Sequence, residues 1–259
     1  MSTWPKHSAA WNSIGPPMRP SQQVIDLFQD LAGPKLTLMM GVTPEFHPAF
    51  ENIVAVDRDE GMISRVWLGD TKTKRVINSN WMEMIWPENN FSSVIGDCAL
   101  PMLTTLATMT EFQQRCYKWL KPGGVFVQRL FERPNEDYTW DQLVDMISKP
   151  ADINFHAFKW VACMSLAAEV GYKISDPVRF EYLNKLCADR AAVCKATGWS
   201  REAVDTIDMY ENGVQAVTFC NREEWQSTVP NDAVEVSFLY AYDYDLWQHC
   251  PILTWKKPE

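Results

Sequence analysis

The chain has 259 residues, 46% of them hydrophobic and 22% charged, a balance typical of a soluble globular protein with one large domain or two small ones. Its net charge of −9 argues against nucleic acid as the main partner, because Lys and Arg supply most of that affinity, and favours a small or cationic ligand. There is no apolar run of signal-peptide or membrane-spanning type, and the seven cysteines lack close paired spacing, as in a reducing compartment. We therefore expect a cytoplasmic protein with no membrane partner.

The N-terminus begins with an irregular segment followed by a helix. Trp4, Trp11 and Met18 lie in a stretch rich in Pro and Ser, and they should pack against some other part of the protein, since exposing them in a tail is costly. Ser21 is a good N-cap, and the apolar spacing over residues 22–31 predicts an amphipathic helix that a Gly-Pro pair ends.

Residues 36–57, LTLMMGVTPEFHPAFENIVAVD, have the pattern of a nucleotide-binding βαβ unit. An apolar run ends at Gly41, where turn residues begin, and a second run of β-branched type ends at Asp57. Gly41 would let the backbone approach a ligand closely, and Asp57 would accept hydrogen bonds from a ribose diol.

Strands and helices then alternate on a short rhythm. Strands are predicted over residues 76–77, 91–97 and 125–131, the last preceded by a Lys-Pro-Gly-Gly turn, and helices over residues 60–68 and 103–120. This alternation predicts an α/β fold with a parallel sheet and helices on both faces.

Helical patterns dominate after residue 133, and strands return only near the end. Helices are predicted over residues 140–148, 155–170, 177–196 and 201–210, and strands over residues 233–240 and 244–255. We expect a single domain made of an N-terminal segment and first helix (1–33), a cofactor-binding half (34–133), a helical insertion that forms a substrate lid (134–230) and an antiparallel hairpin (231–259).

The order of these elements resembles the class I S-adenosylmethionine-dependent methyltransferases. The matching stretches are LTLMMGVTPEF, VAVDRDEGMI, INSNW, SVIGDCAL and LKPGGVFVQRLF, and the resemblance covers about residues 21–133 well and the final hairpin loosely. It implies a Rossmann-like, mostly parallel sheet of seven strands with a C-terminal antiparallel hairpin. One departure is the first loop, which usually carries several glycines and here keeps only Gly41, with Thr43 and Glu45 at positions where small residues would ease ligand approach.

The resemblance also implies S-adenosylmethionine as the cofactor. Its methionine part would touch Gly41, Val42 and Thr43, and its ribose would bind Asp57, although an Asp at a strand end is also a common turn former. Arg19 is a candidate for the cofactor carboxylate.

Four residues after the second and third strands are candidates for the adenine site. Arg58 or Met62 would flank the ring, with core packing as the alternative for Met62. Asn80 would bond the adenine amino group and Trp81 would lie beside the ring, with a turn Asn and a core Trp as the alternatives.

The end of the fourth strand, by the same resemblance, lies nearest the transferring methyl group. Asp97 would bond the methionine ammonium or orient the acceptor, or would cap the next turn. By position Cys98 would neighbour the cofactor; it is not expected to be a nucleophile, because it lacks a partner base, and the alternative is a buried packing residue. Arg129 would bind a substrate carboxylate or pair with Asp97 or Glu132, because a charge in an apolar strand needs a partner. His156 is the candidate general base, with an ordinary helix histidine as the alternative.

These features predict a methyltransferase acting on a small-molecule acceptor, with the N-terminal aromatic segment and the helical insertion closing the pocket. No metal site is expected, because the four histidines are scattered without ligand spacing. The glycine-poor loop favours an alternative, a non-catalytic binding or scaffolding member of the fold. A nicotinamide-dependent oxidoreductase is disfavoured by the lack of a GxGxxG motif and by the hairpin. The acceptor atom and the oligomeric state are left open.

Overall fold

The computed structural model describes residues 5–259, so Trp4 lies outside the described residues. The strands are β1 (Thr37–Met40), β2 (Ile53–Asp57), β3 (Lys74–Asn78), β4 (Phe91–Asp97), β5 (Leu120–Arg129), β6 (Lys173–Ser175), β7 (Ala216–Thr218), β8 (Val234–Leu239) and β9 (Ile252–Lys256). The helices are α1 (Pro5–Ala9), α2 (Gln22–Ala32), α3 (Phe46–Ala49), α4 (Glu60–Val66), α5 (Leu106–Trp119), α6 (Trp140–Met146), α7 (Phe155–Glu169), α8 (Asp176–Leu186), α9 (Arg190–Thr197), α10 (Arg201–Asp205) and α11 (Arg222–Ser227). None of the helices within residues 5–259 is both long enough and apolar enough to cross a membrane.

Seven strands form one sheet in the order β3-β2-β1-β4-β5-β9-β8. The first five pair in parallel, whereas β9 runs antiparallel to both β5 and β8. All four residues of β1 are buried, as expected for a central parallel strand covered on both faces. The predicted Rossmann-like sheet with a C-terminal antiparallel pair is therefore confirmed.

Apolar side chains on the two faces of the sheet belong to two separate core clusters. Met39 of β1 packs with α2 and α7 in one cluster, and Leu38 and Met40 pack with α5 and α11 in the other. This alternation follows from the two-residue period of a strand. Helices on both faces thus hold the strand ends in place.

Several boundaries differ from the sequence prediction. The helix predicted over residues 177–196 is two helices, α8 and α9, because the Asp189 side chain accepts the backbone N–H of Ala192 and so starts a new helix. The short antiparallel pair of β6 and β7 was not predicted. The last predicted strand begins only at Ile252, after a 3₁₀ turn. The Lys-Pro-Gly-Gly turn lies inside β5, where the pairing with β4 shifts register.

Candidate functional site

A cavity lies at the carboxyl ends of the central strands. Gly41 directly follows β1, Asp57 ends β2 and Asp97 ends β4, and all three line the cavity. The chain passes from β1 outward to β2 in one direction, while β4 lies on the other side of β1. In open α/β sheets this reversal of strand order is where ligands bind.

The ten residues that we predict to bind the cofactor all line this cavity. They are Gly41, Val42, Thr43, Asp57, Arg58, Met62, Asn80, Trp81, Asp97 and Cys98. Further lining residues come from the strand ends and the turn after β4, namely Met40, Ser79, Ala99, Met102, Leu103 and Phe131. The structure thus brings these ten residues to one place, and their individual roles stay predictions.

Gly41 and Asp57 lie side by side at the edge of the sheet. The Gly41 N–H donates to the Val56 carbonyl at 2.8 Å, and Gly41 has a φ of +86°, a conformation that favours glycine. A side-chain carbon added at Gly41 would lie 3.9 Å from Oδ2 of Asp57. The one glycine that the first loop keeps is therefore at the position where the backbone turns beside the Asp57 carboxylate.

The surroundings of the Asp57 carboxyl raise its pKa. Its Oδ1 accepts the backbone N–H of Asp59 at 2.9 Å. Burial is the largest influence on this carboxyl and raises its pKa to about 6. A carboxylate that loses hydration in this way is stabilised by any ligand that donates hydrogen bonds to it.

The residues of the predicted adenine site are fixed by local contacts. Trp81 donates its indole N–H to the Val56 carbonyl at 2.7 Å, and the Asn80 side-chain oxygen accepts the backbone N–H of Met82 at 3.1 Å. Asn80 therefore also has the turn-forming contact that we weighed as its alternative. Arg58 donates to the side-chain oxygen of Gln215 at 3.0 Å.

Arg129 forms a buried two-bond ion pair with Asp97. Its Nε and Nη2 donate to the two carboxylate oxygens, the latter at 2.9 Å, and its side chain is fully buried. The sequence left Asp97 and Glu132 as possible ion-pair partners of Arg129. In the structure Arg129 pairs with Asp97, and Glu132 pairs with Arg222. Asp97 lines the cavity and Arg129 supports it from beneath the surface.

Two other candidate side chains lie away from the positions that we expected. His156 is not among the lining residues; a side-chain carbon added at Gly15 would lie 3.6 Å from its ring, and burial lowers its pKa to about 3. Arg19 pairs with Glu45 of the glycine-poor loop, so its charge is already matched.

Two regions outside the strand ends also contribute lining residues, none of which we predicted as a site residue. The N-terminal segment contributes His7, Trp11, Ile14 and Met18. The region after β5 contributes Trp160, Arg179, Tyr210, Gln215 and Val217. Burial, together with the nearby charge of Arg179, lowers the pKa of His7 well below its usual range, so His7 is neutral at physiological pH.

No protein-family model matches the chain, and no curated protein matches it in sequence. A solved Rhodobacter sphaeroides protein described as a candidate zinc-dependent alcohol dehydrogenase has a TM-score of 0.52 and 11% identity, over 98% of each chain. A SAM-dependent methyltransferase from Methanosarcina mazei has a TM-score of 0.51 and 9% identity, over 90% of this chain and 97% of the other. A Bordetella parapertussis protein described as a possible exported protein has a TM-score of 0.51 and 13% identity, over 91% of this chain and 66% of its own length.

These likenesses are likenesses of fold. With the strand order and the antiparallel C-terminal pair, the chain has the Rossmann-like fold of the class I S-adenosylmethionine-dependent methyltransferases. Within residues 5–259, no group of three or more His, Cys, Asp or Glu side chains is arranged to hold a metal ion.

Proposed function

We propose that this protein transfers a methyl group from S-adenosylmethionine to a small-molecule acceptor. The observation that supports the proposal most directly is the pairing of Gly41 and Asp57 at the point where the strand order reverses. Eight further residues nominated for cofactor binding line the same cavity.

The residues at the strand ends fit this cofactor. Asp57 offers a carboxylate whose pKa is raised by burial, and a ribose diol would donate hydrogen bonds to it. Gly41, Val42 and Thr43 offer backbone and small side chains to the methionine part, and Trp81 offers a ring to the adenine. The cofactor, when bound, supplies a methyl group on a positively charged sulfur.

The task of the chain is then to align the acceptor with that methyl group and to exclude water. Two hydrogen bonds from Arg129 hold the Asp97 carboxylate in one orientation, so it is a fixed hydrogen-bond acceptor at the end of β4. Trp11 from the N-terminal segment and Trp160 from α7 line the cavity. Such positioning can lower the barrier by about 7–11 kcal/mol. A concave cavity lined by apolar and aromatic side chains suits a small acceptor.

Calorimetric titration with S-adenosylmethionine and S-adenosylhomocysteine tests the cofactor assignment. We expect micromolar binding of both ligands and, with a matching acceptor, release of S-adenosylhomocysteine. Titration with NADH is the control, because the oxidoreductase alternative predicts binding of NADH instead. Cofactor binding with no transfer to any small acceptor would favour the non-catalytic alternative, and failure to bind either sulfur ligand would overturn the proposal.

The affinity for S-adenosylhomocysteine should fall about tenfold between pH 7.5 and pH 5. The pKa of Asp57 is raised to about 6, so the carboxyl is mostly ionised at the higher pH and mostly protonated at the lower. Hydroxyl donors bind the ionised form more tightly, so proton uptake competes with the ligand. The pKa of His7 lies well below its usual range, so His7 contributes little in this interval. Calorimetry across the interval measures the slope, and Asp57→Asn should be flat; an equal slope in that variant would contradict the assignment.

A further inference from the structure

Arg19 joins the glycine-poor first loop to the N-terminal segment. Its Nε donates to Oε1 of Glu45 at 2.5 Å, and its Nη2 lies 2.5 Å from the same oxygen. Its Nη1 donates to the Trp11 carbonyl at 3.1 Å, and the guanidinium carbon lies 5.5 Å from the centroid of the Trp11 ring. One planar group thus holds both Glu45 and Trp11, a geometry that arginine alone among the cationic side chains provides.

Glu45 is held in place by a turn that is anchored in the core. The Thr43 carbonyl accepts the Phe46 N–H at 3.2 Å, which closes the turn around Glu45. Phe46 is fully buried and stacks on Phe28 of α2, with 4.8 Å between the ring centroids. Within residues 5–259, Arg19 is the one charged partner of the Glu45 carboxylate. The position of Arg19 is therefore set by the core through Glu45.

Trp11 has few polar contacts apart from those with Arg19. Its indole N–H has no partner among residues 5–259, and its carbonyl also accepts the Ile14 N–H, at 3.4 Å, from the same segment. A bond from Ser13 to Glu202 at 2.7 Å is exposed, so water competes for both of its partners. Arg19 is therefore the side chain that ties Trp11 itself to the core-anchored turn.

Glu45 and Arg19 lie behind the wall of the cavity. Within residues 5–259, neither is part of the lining, whereas Trp11, Val42 and Thr43 are. The Glu45 side chain is 15% exposed and is matched by Arg19, so its charge is used inside the protein. The acid that stands where a small residue would ease ligand approach is thus an anchor for the N-terminal segment.

We infer that Arg19 is a positioning residue, which fixes the place of Trp11 in the cavity wall by tying it to Glu45. The effect of Arg19 on cofactor binding rests on the proposed function, whereas its effect on the position of Trp11 does not. The inference gives a role to the departure of the first loop from the family pattern. It also replaces the cofactor carboxylate, our sequence-based candidate, as the partner of Arg19.

Fluorine NMR of the unliganded protein, labelled with 5-fluorotryptophan, tests the position of Trp11 directly. Trp11→Phe assigns the Trp11 resonance, and both Arg19→Met and Glu45→Met should shift or broaden it. The Glu45 variant leaves the guanidinium in the chain, so a change there reports a displaced Trp11 and not merely the loss of a neighbouring cation. An unchanged Trp11 resonance in these two variants would overturn the inference.

Two other tryptophans show in the same spectra whether the fold is kept. Trp225 and Trp255 are fully buried in the core cluster on the other face of the sheet. Their resonances should stay in place in both variants, so that a change at Trp11 is local.

The affinity for S-adenosylhomocysteine tests whether Arg19 acts through Trp11. Arg19→Met should lower the affinity about tenfold in the unsubstituted protein. In a Trp11→Ala background it should lower it by about twofold or less, because no ring is left to position. Arg19→Lys keeps the charge but not the planar group, so it should restore only part of the affinity. Equal losses in both backgrounds would mean that Arg19 contacts the cofactor itself, and the inference would be wrong.

Lys256→Met is the matched control for the loss of a cation. Lys256 pairs with Glu235 between β9 and β8, and neither belongs to the cavity lining within residues 5–259. This variant should change neither the Trp11 resonance nor the affinity. If the unsubstituted protein does not bind S-adenosylhomocysteine, the proposed function fails, and the fluorine spectra still decide whether Arg19 positions Trp11.

Discussion

Replacing Asp57 with Ala should lower the affinity for S-adenosylhomocysteine by about 100-fold or more. A hydrogen bond to a charged partner contributes about 1.5–3 kcal/mol, and a ribose diol places two hydroxyls within reach of one carboxylate. Asp57 lines the cavity, and its raised pKa shows that the free protein does not fully compensate the buried charge. Calorimetric titration measures the change.

Removing the Asp57 charge should weaken cofactor binding but raise the free energy of unfolding of the free protein. These opposite changes separate a role in binding from damage to the fold. Because the pKa of Asp57 is about 6 in the folded protein and 3.8 otherwise, the folded state holds more protons between these values. Stability from this group therefore falls as pH rises from about 4 to about 6, and the loss persists at neutral pH. Asp57→Asn keeps an oxygen for the Asp59 N–H and removes the charge, so it should stabilise the free protein at pH 7 by about 1–3 kcal/mol.

A second aspartate gives the matched control for these measurements. Asp30 lies exposed on α2, so Asp30→Asn should change neither the affinity nor the stability appreciably. If Asp57→Asn bound S-adenosylhomocysteine as tightly as the unsubstituted protein, Asp57 would be only a turn former at the end of β2, the alternative that its position in the sequence leaves open.

The part of the cavity at the strand ends, with Gly41 and Asp57, could be predicted because its determinants are local. An apolar run that ends at a glycine, and a β-branched run that ends at an acid, place Gly41 and Asp57 at strand ends without further information. Parallel pairing then brings those ends to one edge of the sheet. The same local reasoning identified Ser21 as the cap of α2, where it accepts the Val24 N–H.

The part of the cavity that Arg179 and Gln215 line could not be predicted residue by residue, because tertiary packing alone assembles it. Arg179 and Gln215 lie 36 positions apart in the chain and line the same cavity only because the fold brings α8 and the residue before β7 to it. Helix periodicity also could not decide which histidine enters the cavity. In α7 every residue from Phe155 to Ala167 is buried, so no exposed face marks the orientation of His156, and His7 from the N-terminal segment lines the cavity instead.

Replacing Asp97 with Ala should destabilise the protein by about 3–5 kcal/mol, the cost of removing one partner from a buried ion pair. The Arg129 side chain is 0% exposed and that of Asp97 is 5% exposed, so neither charge has water as a substitute partner. Arg129 has a third nitrogen, Nη1, that is already without a hydrogen-bond partner among residues 5–259. The loss of Asp97 therefore leaves the guanidinium without its carboxylate partner and with the Tyr244 ring, whose centroid is 5.6 Å away, as a weaker one. Urea denaturation with fluorescence detection measures the change.

The double variant Asp97→Ala/Arg129→Met distinguishes the charge from the packing. It removes both ions and keeps an apolar side chain of similar length in β5, so it should recover most of the stability that the single variant loses. Glu111→Ala breaks the exposed ion pair with Arg115 on α5 and should have little effect, because water replaces the lost partner there. If the double variant were as unstable as the single one, the packing of Asp97 rather than its charge would hold the end of β4. If it were stable yet unable to transfer a methyl group, the Asp97–Arg129 pair would be kept for its position in the cavity and not for folding.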